Sequence, residues 1–328
     1  MKKISFIAVF LIFVFTSCSS NREKQYISIS NKALGTFYSI TYFDEGRRNF
    51  QTEIDSVLNG FSMSLSAYSP ISIISKINQN MNVDMDAYFE KVFLKAKYFY
   101  EITAGAFDIS ASPLFSAWGF GFGNKEEITP ELIDSLKQFT GMEKINIVDG
   151  KIIKSDTRVN INANALAKGY AVDVVADFLL SQQIENFLVE IGGEIIVRGK
   201  NRNGENWKIG IDRPYDGNFN SGKDLIHTIA LTDKAVATSG NYRQFYIVDG
   251  KKYAHTIDPI TGYPVHHSLL SATVVADDCI SADAVATSLM VMGIEKAKIF
   301  LGKYPEYKAY LVYEENGEYR EYSTIADN

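Results

Sequence analysis

The chain has 328 residues, 46% of them hydrophobic and 22% charged, with a net charge of −6. This is the composition of a globular protein of one large or two small domains, and it excludes a disordered, collagenous or coiled-coil chain. The acidic balance argues against nucleic-acid binding, and no fixed-period repeat points to a solenoid or propeller.

Lys2 and Lys3 precede an apolar run, "ISFIAVFLIFVF", followed by "TSCSS". A charged start, a short greasy stretch and small residues read as a secretory signal over residues 1–17. The run is shorter than the roughly 20 residues that span a bilayer. Cys18, after Thr16 and Ser17, resembles the lipidated cysteine of a bacterial lipobox, with Phe15 where Leu is usual. That resemblance implies a lipid-anchored protein of the bacterial cell envelope, facing the periplasm or the cell exterior. Residues 18–28 then form a polar tether, and residues 29–328 one folded domain. The only other cysteine, Cys279, is expected to be a small buried residue.

Residues 27–43 alternate as strands, broken at Gly35. Residues 48–61 place Ile54, Val57, Leu58 and Phe61 on one helical face, and residues 86–105 carry a stronger stripe of Phe89, Val92, Phe93, Ala96 and Phe99. Thr129 and Pro130 are expected to open a short helix as cap and first residue. Residues 144–155 read as a hairpin around Asp149 and Gly150, and residues 168–184 as a helix opening near Lys168 and Gly169. Strands follow over 186–200, 207–214, 227–240, 242–259 and 271–278, with a helix over 281–293 closed by Gly293, then a further helix, a strand over 307–322 and a tail. Short turns join most strands, and helices come in groups. The expected class is α+β, a mixed but largely antiparallel sheet with flanking helices, built as one catalytic unit of one or two lobes.

Several stretches carry chemistry. In "SADAVATSLM", Asp283 and Thr287 lie four apart on one helical face, with Ser281 placed to cap it. A carboxylate and a hydroxyl offer hard oxygen ligands, suited to Mg²⁺ rather than Zn²⁺. In "NINANALAKGYAVD" (160–173), backbone groups before a helix start can hold phosphate or donate carbonyls to a cation, and Lys168 can meet an anion. "IGGEI" is no dinucleotide fingerprint; its glycines read as a bulge or a close backbone approach. "TAGAFDIS" (103–110) is a small-residue turn before Phe107 and Asp108. "HTIDPITGYP" (255–264) sets one of only four histidines beside a stiff, sharply turned backbone. His266 and His267, past that turn, are expected to face solvent.

In order, "AGAFDIS…PLFSAWGFG", "NALAKGYAVD", "FLVEIGGEI", "ATSGNYR", "HTIDPITGYP" and "ADAVATSLMVMG" closely resemble the ApbE family of FAD:protein FMN transferases, from about "ALGT" at Ala33 to residue 313. The resemblance implies Mg²⁺ held by the side chains of Asp283 and Thr287 and the carbonyl of Ala165. It implies FAD contacts at Leu34, Tyr68, Ala106, Phe107, Asp108, Asn162, Lys168 and Ile257, and a histidine important for transfer at His255. Departures are Leu34 for a usual Met, Asn162 and Asn241 for usual Asp residues, and "YSPISIIS" without its acidic members. The implied reaction is Mg-dependent transfer of FMN from FAD to a Thr or Ser hydroxyl of an acceptor flavoprotein, releasing AMP. The implied partner is a redox-complex subunit. The alternatives are a FAD pyrophosphatase giving FMN and AMP, and a non-catalytic flavin-binding lipoprotein.

Overall fold

The computed structural model describes residues 25–326, apart from 122–124, 216, 219–221, 243–244, 249–250 and 255. Cys18 and His255 therefore lie outside the described residues. The chain opens with β1 (Tyr26–Ala33), β2 (Thr36–Phe43), α1 (Gln51–Leu65), α2 (Ile73–Asn78), α3 (Ala87–Ile102), α4 (Ser112–Ala117) and α5 (Pro130–Lys137). It continues with β3 (Ile145–Val148), β4 (Lys151–Lys154), α6 (Asn164–Ser181), β5 (Phe187–Ile191), β6 (Glu194–Arg198), β7 (Trp207–Asp212) and β8 (Leu225–Leu231). It ends with β9 (Lys234–Gly240), β10 (Phe245–Val248), β11 (Lys251–Ala254), β12 (Leu269–Ala276), α7 (Cys279–Lys303), β13 (Lys308–Glu315) and β14 (Glu318–Ser323).

Eight strands form one sheet in the order β1-β2-β5-β6-β9-β12-β13-β14, and every neighbouring pair in it is antiparallel. The α+β expectation holds. One face of the sheet carries the main core, where helices bury Leu58, Phe61, Phe89, Phe93 and Phe99 against Tyr38, Ile40, Val189 and Val274. Burying each such side chain is worth about 1.5–3 kcal/mol. The other face is covered by the β7–β8 ribbon, which packs Trp207, Ile209, Ile211 and Ile229 onto Val197, Val236, Val275 and Val312. A third, smaller core joins Leu114, Trp118, Ile133 and Ile257.

The α3 stripe is buried as its spacing dictates, capped by Asp86, whose side chain accepts from the Phe89 N–H. Thr129 caps α5 by accepting from the Leu132 N–H, with Pro130 next. Asp149 and Gly150 turn β3 into β4 with positive φ. Three local expectations are corrected. α6 begins at Asn164, four residues before Lys168, because "NALA" is itself good helix-forming sequence. α7 begins at Cys279, and Asp278 rather than Ser281 is its cap; the Asp278 side chain accepts from the Ser281 N–H. His267 is half-buried: its Nε2 meets the Met290 carbonyl at 2.7 Å and its Nδ1 accepts from the Leu269 N–H at 3.2 Å. Those contacts cap the first segment of α7, which breaks at Gly293 (φ 72°, ψ 171°) as the sequence suggests. His266 is exposed.

Candidate functional site

α6 and α7 cross at closest approach near Gly169. A Cβ on Gly169 would lie 2.3 Å from the Cys279 carbonyl oxygen and 2.8 Å from Asp283 Cβ, so only glycine fits there. Two carboxylates fasten the crossing. Asp283 Oδ2, on α7, accepts from the Gly169 N–H on α6 at 3.0 Å. Asp173, one turn along α6, accepts from the N–H groups of Cys279 and Ile280 at 2.7 and 2.9 Å, where α7 begins. Asp173 thus satisfies two of the donors that every helix start leaves open; burial nevertheless pushes its pKa up to about 7. The helical acceptor for the Gly169 N–H is the Ala165 carbonyl, four residues back. Asp283 competes for that proton and so leaves the Ala165 oxygen freer to meet a cation.

Lys168 extends over the same crossing, with its ammonium bonded to Glu194 Oε1. Burial pulls the Lys168 pKa down, but the charges of Glu194 and Asp283 outweigh it and hold the ammonium above the lysine range. Asp283 is 4% exposed. Burial disfavours its ionisation, Lys168 opposes that effect, and Glu194 adds to it. A carboxylate in that state gains from a nearby cation. Thr287 stands one turn further along α7, half-buried, with its hydroxyl 3.4 Å from that of Ser239 at the end of β9.

Among the described residues, no cluster of three or more His, Cys, Asp or Glu side chains is spaced to hold a metal. A cation here would rest on a mixed set of hard oxygens: the Asp283 carboxylate, the Thr287 hydroxyl and the Ala165 carbonyl. That set fits Mg²⁺ and lacks the sulfur or imidazole that favours Zn²⁺. Glu194 Oε2, buried and without a hydrogen-bond partner, is a further sign that the pocket is built for a ligand.

The turns around this crossing bring other site residues in. Leu34 (φ 52°) and Gly35 (φ 74°) form the β1–β2 turn; a left-handed leucine is strained, as residues at ligand-facing turns often are. Gly192 and Gly193 (φ 64° and 103°) form the two-residue β5–β6 turn, correcting the bulge expectation. Gly192 also provides the close approach: a Cβ there would come within 3.0 Å of Thr36 and 3.4 Å of Lys168. Leu34, Thr36, Gly192, Lys168 and Asp283 are therefore one neighbourhood.

A second arm reaches α6 from the other side. The Asn162 N–H donates to the Ile109 carbonyl at 2.8 Å, and Asn162 Oδ1 accepts from the Asn164 N–H at 2.9 Å. Asp108 Oδ1 accepts from the Ser110 N–H and hydroxyl at 2.7 and 2.6 Å. Burial pushes the Asp108 pKa up to about 6, against the pull of Ser110. Ala106 and Phe107 are buried, so their backbone is what they offer a ligand. Tyr68 is 74% exposed in the loop after α1.

The segment 256–264 folds back on itself. The Asp258 N–H donates to the Tyr263 carbonyl at 2.9 Å, the Gly262 N–H to the Asp258 carbonyl at 2.7 Å, and Ile257 bridges Pro264. Ile257 is fully buried in the third core, and Trp118 Nε1 donates to the Gly262 carbonyl at 2.9 Å. Thr256, next to His255, donates its hydroxyl hydrogen to Asn241 Oδ1 at 2.8 Å. Glu194, Ser239 and the Asn241–Thr256 bond are the parts of the site that residue types alone did not single out. The position of Glu194 was available in the register: after a two-residue turn it pairs with Ile191, on the core-facing side. A cavity of about 480 Å³ along β1, β2 and β5, lined by Lys32, Phe37 and Glu190 among others, is separate from this cluster.

A protein-family model described as "ApbE family" matches residues 34–311. The chain belongs to the ApbE family. It is 35% identical over 315 residues to a FAD:protein FMN transferase of Haemophilus influenzae, covering 90% of this chain and 89% of that one. A Vibrio cholerae FAD:protein FMN transferase is 34% identical over 299 residues, covering 88% of each chain. Solved ApbE structures share the fold. The flavin transferase ApbE from Vibrio cholerae superposes with a TM-score of 0.81 at 33% identity, over 91% of this chain and 97% of that one. The Pseudomonas stutzeri flavinyl transferase ApbE gives 0.83 at 28% identity, over 92% and 95%. These ApbE likenesses extend over both arms of the site and the α6–α7 crossing.

Proposed function

We propose that this chain is a FAD:protein FMN transferase that moves FMN from FAD to a Thr or Ser hydroxyl of an acceptor flavoprotein and releases AMP. The observation that supports the reading is the α6–α7 crossing within an ApbE fold, where Asp283 accepts from the Gly169 N–H and interacts with the charge of Lys168, with Thr287 one turn along α7. Mg²⁺ held by those three groups would supply charge neutralisation for the FAD pyrophosphate.

The residues of the chain have distinct tasks. Lys168, an ammonium fixed by Glu194, offers charge-assisted N–H donors to the phosphates. The left-handed Leu34–Gly35 turn and the backbone of residues 106–108 and Asn162 frame the nucleotide, with Tyr68 and Ile257 at its margins. The acceptor hydroxyl attacks the FMN phosphorus; the new P–O bond forms as the bond to AMP breaks. His255 takes the hydroxyl proton as general base, a role typically worth about 10²–10⁴-fold. The fold-back of 256–264 and the Asn241–Thr256 bond hold the segment that presents it.

The acceptor in this reading is a redox-complex subunit exposed on the same side of the membrane. Lipid on Cys18 would anchor the chain to the envelope, facing the periplasm or the exterior, through the tether 18–28. Among the described residues, no helix is long and apolar enough to cross a membrane. The deciding experiment mixes the chain, FAD, Mg²⁺ and a candidate acceptor domain. AMP should appear in step with flavin fluorescence that stays on the acceptor band in a denaturing gel, and EDTA should abolish both. Free FMN and AMP with an acceptor that never labels would replace transfer with hydrolysis. FAD bound without turnover would make the chain a carrier.

A further inference from the structure

Glu194 opens β6 on the core-facing side of a central strand, the same side as Ile196 and, across the turn, Ile191. Ile196, two residues along on that face, is buried and apolar, as is Ile191 across the turn, and a buried carboxylate between them breaks the pattern. Breaks of that kind cluster at functional sites. The side chain is 5% exposed. Oε1 holds the Lys168 ammonium, while Oε2 is buried with no partner. Ionised or protonated, that oxygen needs a hydrogen-bond partner, and a buried polar atom left without one is rare. The pocket also has a charge excess: two buried carboxylates, Glu194 and Asp283, act on one ammonium, Lys168.

We propose that Glu194 is the positioning carboxylate of the cation pocket, fixing Lys168 through Oε1 and accepting, through Oε2, a hydrogen bond from a water bound to the cation that Asp283 holds. This rests on the assignment of a Mg²⁺ site made above. Glu194 explains how Lys168 can stand beside that site without displacing the cation. The ammonium charge is compensated by Glu194, so the Asp283 carboxylate is left for the metal. Outer partners of this kind typically tune metal affinity about 10–100-fold.

The test reads cation binding directly, by titrating Mn²⁺ into the full chain without flavin and following free Mn²⁺ by electron paramagnetic resonance. Glu194→Gln should weaken Mn²⁺ binding by about 10–100-fold. Lys168→Met, which removes a neighbouring positive charge, should bind Mn²⁺ at least as tightly as the wild type. The double variant Lys168→Met/Glu194→Gln keeps the pair neutral, and so remains informative if Glu194→Gln alone folds poorly. Under the proposal it still binds weakly. If Glu194 serves only as the counter-ion of Lys168, the double variant recovers wild-type affinity within about threefold, and the proposal is overturned. Unchanged Mn²⁺ affinity in Glu194→Gln, with wild-type flavin transfer still Mg-dependent, removes Glu194 and leaves the function standing. A wild type that takes up no Mn²⁺ brings down the metal assignment and this proposal together.

Discussion

The Asp283 carboxylate on α7 accepts the Gly169 N–H of α6 at 3.0 Å, although the two residues are 114 positions apart. The bond makes the proposed cation pocket and the helix crossing one structure. Asp283 can serve a metal only while α6 stays close, and α6 stays close only because residue 169 has no side chain. The matching bonds from Cys279 and Ile280 to Asp173 fasten the same crossing from the other helix.

Gly169→Ala should therefore disturb fold and pocket together. The added carbon would meet backbone atoms of Cys279 at 2.3 and 2.7 Å, which cannot rotate away. Overpacking of that kind costs about 1–3 kcal/mol, read as a lower urea midpoint. Gly60, on α1, is the control, since a Cβ added there would meet nothing within 4 Å. At that position alanine should stabilise by about 0.4–1 kcal/mol. Equal midpoints for the two variants would show that the crossing tolerates separation.

Asp283→Asn separates charge from packing. The amide oxygen can still accept from Gly169, so the melting temperature should change little. Cation affinity should fall by more than the roughly 10–100-fold that outer partners are worth. Thr287→Val, which removes a neutral hydroxyl of similar size, should have the smaller effect on Mg²⁺ dependence. Near-normal turnover of Asp283→Asn at low Mg²⁺ would remove Asp283 from the metal site.

Much of this was legible beforehand, for local reasons. The Phe89–Phe99 stripe, the Thr129 cap, the Asp149–Gly150 turn and the stop at Gly293 each depend on neighbours within a few residues. Asp283 and Thr287 share a helical face by spacing alone. The rest depends on contacts between distant segments. Nothing near Gly169 says that Cys279 packs on it. Glu194 looks like part of a glycine turn until the strand register turns it toward the helices. His267 looks like a surface residue until the break at Gly293 makes room for its ring.

Lipid anchoring makes a separate prediction. Cys18→Ala should leave the chain unprocessed or released from membranes, with FMN transfer by the purified protein intact, since Cys18 lies well before the first strand at Tyr26. Stable anchoring requires more than one acyl chain. Mass spectrometry that finds no lipid on Cys18 of membrane-extracted protein would exclude the anchor.

His267 ties stability to pH. Its Nδ1 accepts from the Leu269 N–H, so the neutral ring donates from Nε2 to the Met290 carbonyl. Burial lowers its pKa, against the hydrogen bond to Met290. A depressed pKa means that the unfolded chain binds the proton more readily. The contribution is complete above the unfolded value of about 6.5 and is lost as pH falls through the folded one. Asp108 and Asp173, whose pKa values are raised, act in the opposite direction, so the comparison must be with a variant at the same pH. His267→Gln keeps a donor and cannot titrate. The urea midpoint of the wild type should fall relative to this variant between about pH 7.5 and 5.5. Parallel midpoints over that range would mean that the ring titrates as it does in the unfolded chain.

The segment holding the proposed base can be loosened while most of the assigned nucleotide contacts, all but Ile257, stay on other segments. Thr256 and Asn241 are 8% and 9% exposed, and their 2.8 Å bond ties the start of the "TIDPITGYP" fold-back to the end of β9. Thr256→Val keeps the shape, removes the donor and leaves the buried Asn241 oxygen without that partner, at a cost of about 1–3 kcal/mol. If His255 acts as base, small misplacement should lower kcat by about 10-fold or more, because general-base catalysis depends on hydrogen-bond reach. The Kd for FAD should stay near the wild-type value, since the assigned nucleotide contacts lie mainly on other segments. Thr256→Ser restores the hydroxyl and should restore kcat. Asn241→Asp keeps an acceptor for Thr256 and should remain active, whereas Asn241→Leu should resemble Thr256→Val. Stopped assays of acceptor labelling, run beside fluorescence titrations of FAD, separate the two quantities. A Thr256→Val enzyme with normal kcat would mean that the histidine segment is held by the Ile257–Trp118 core alone, and that the Asn241 bond serves only the end of β9.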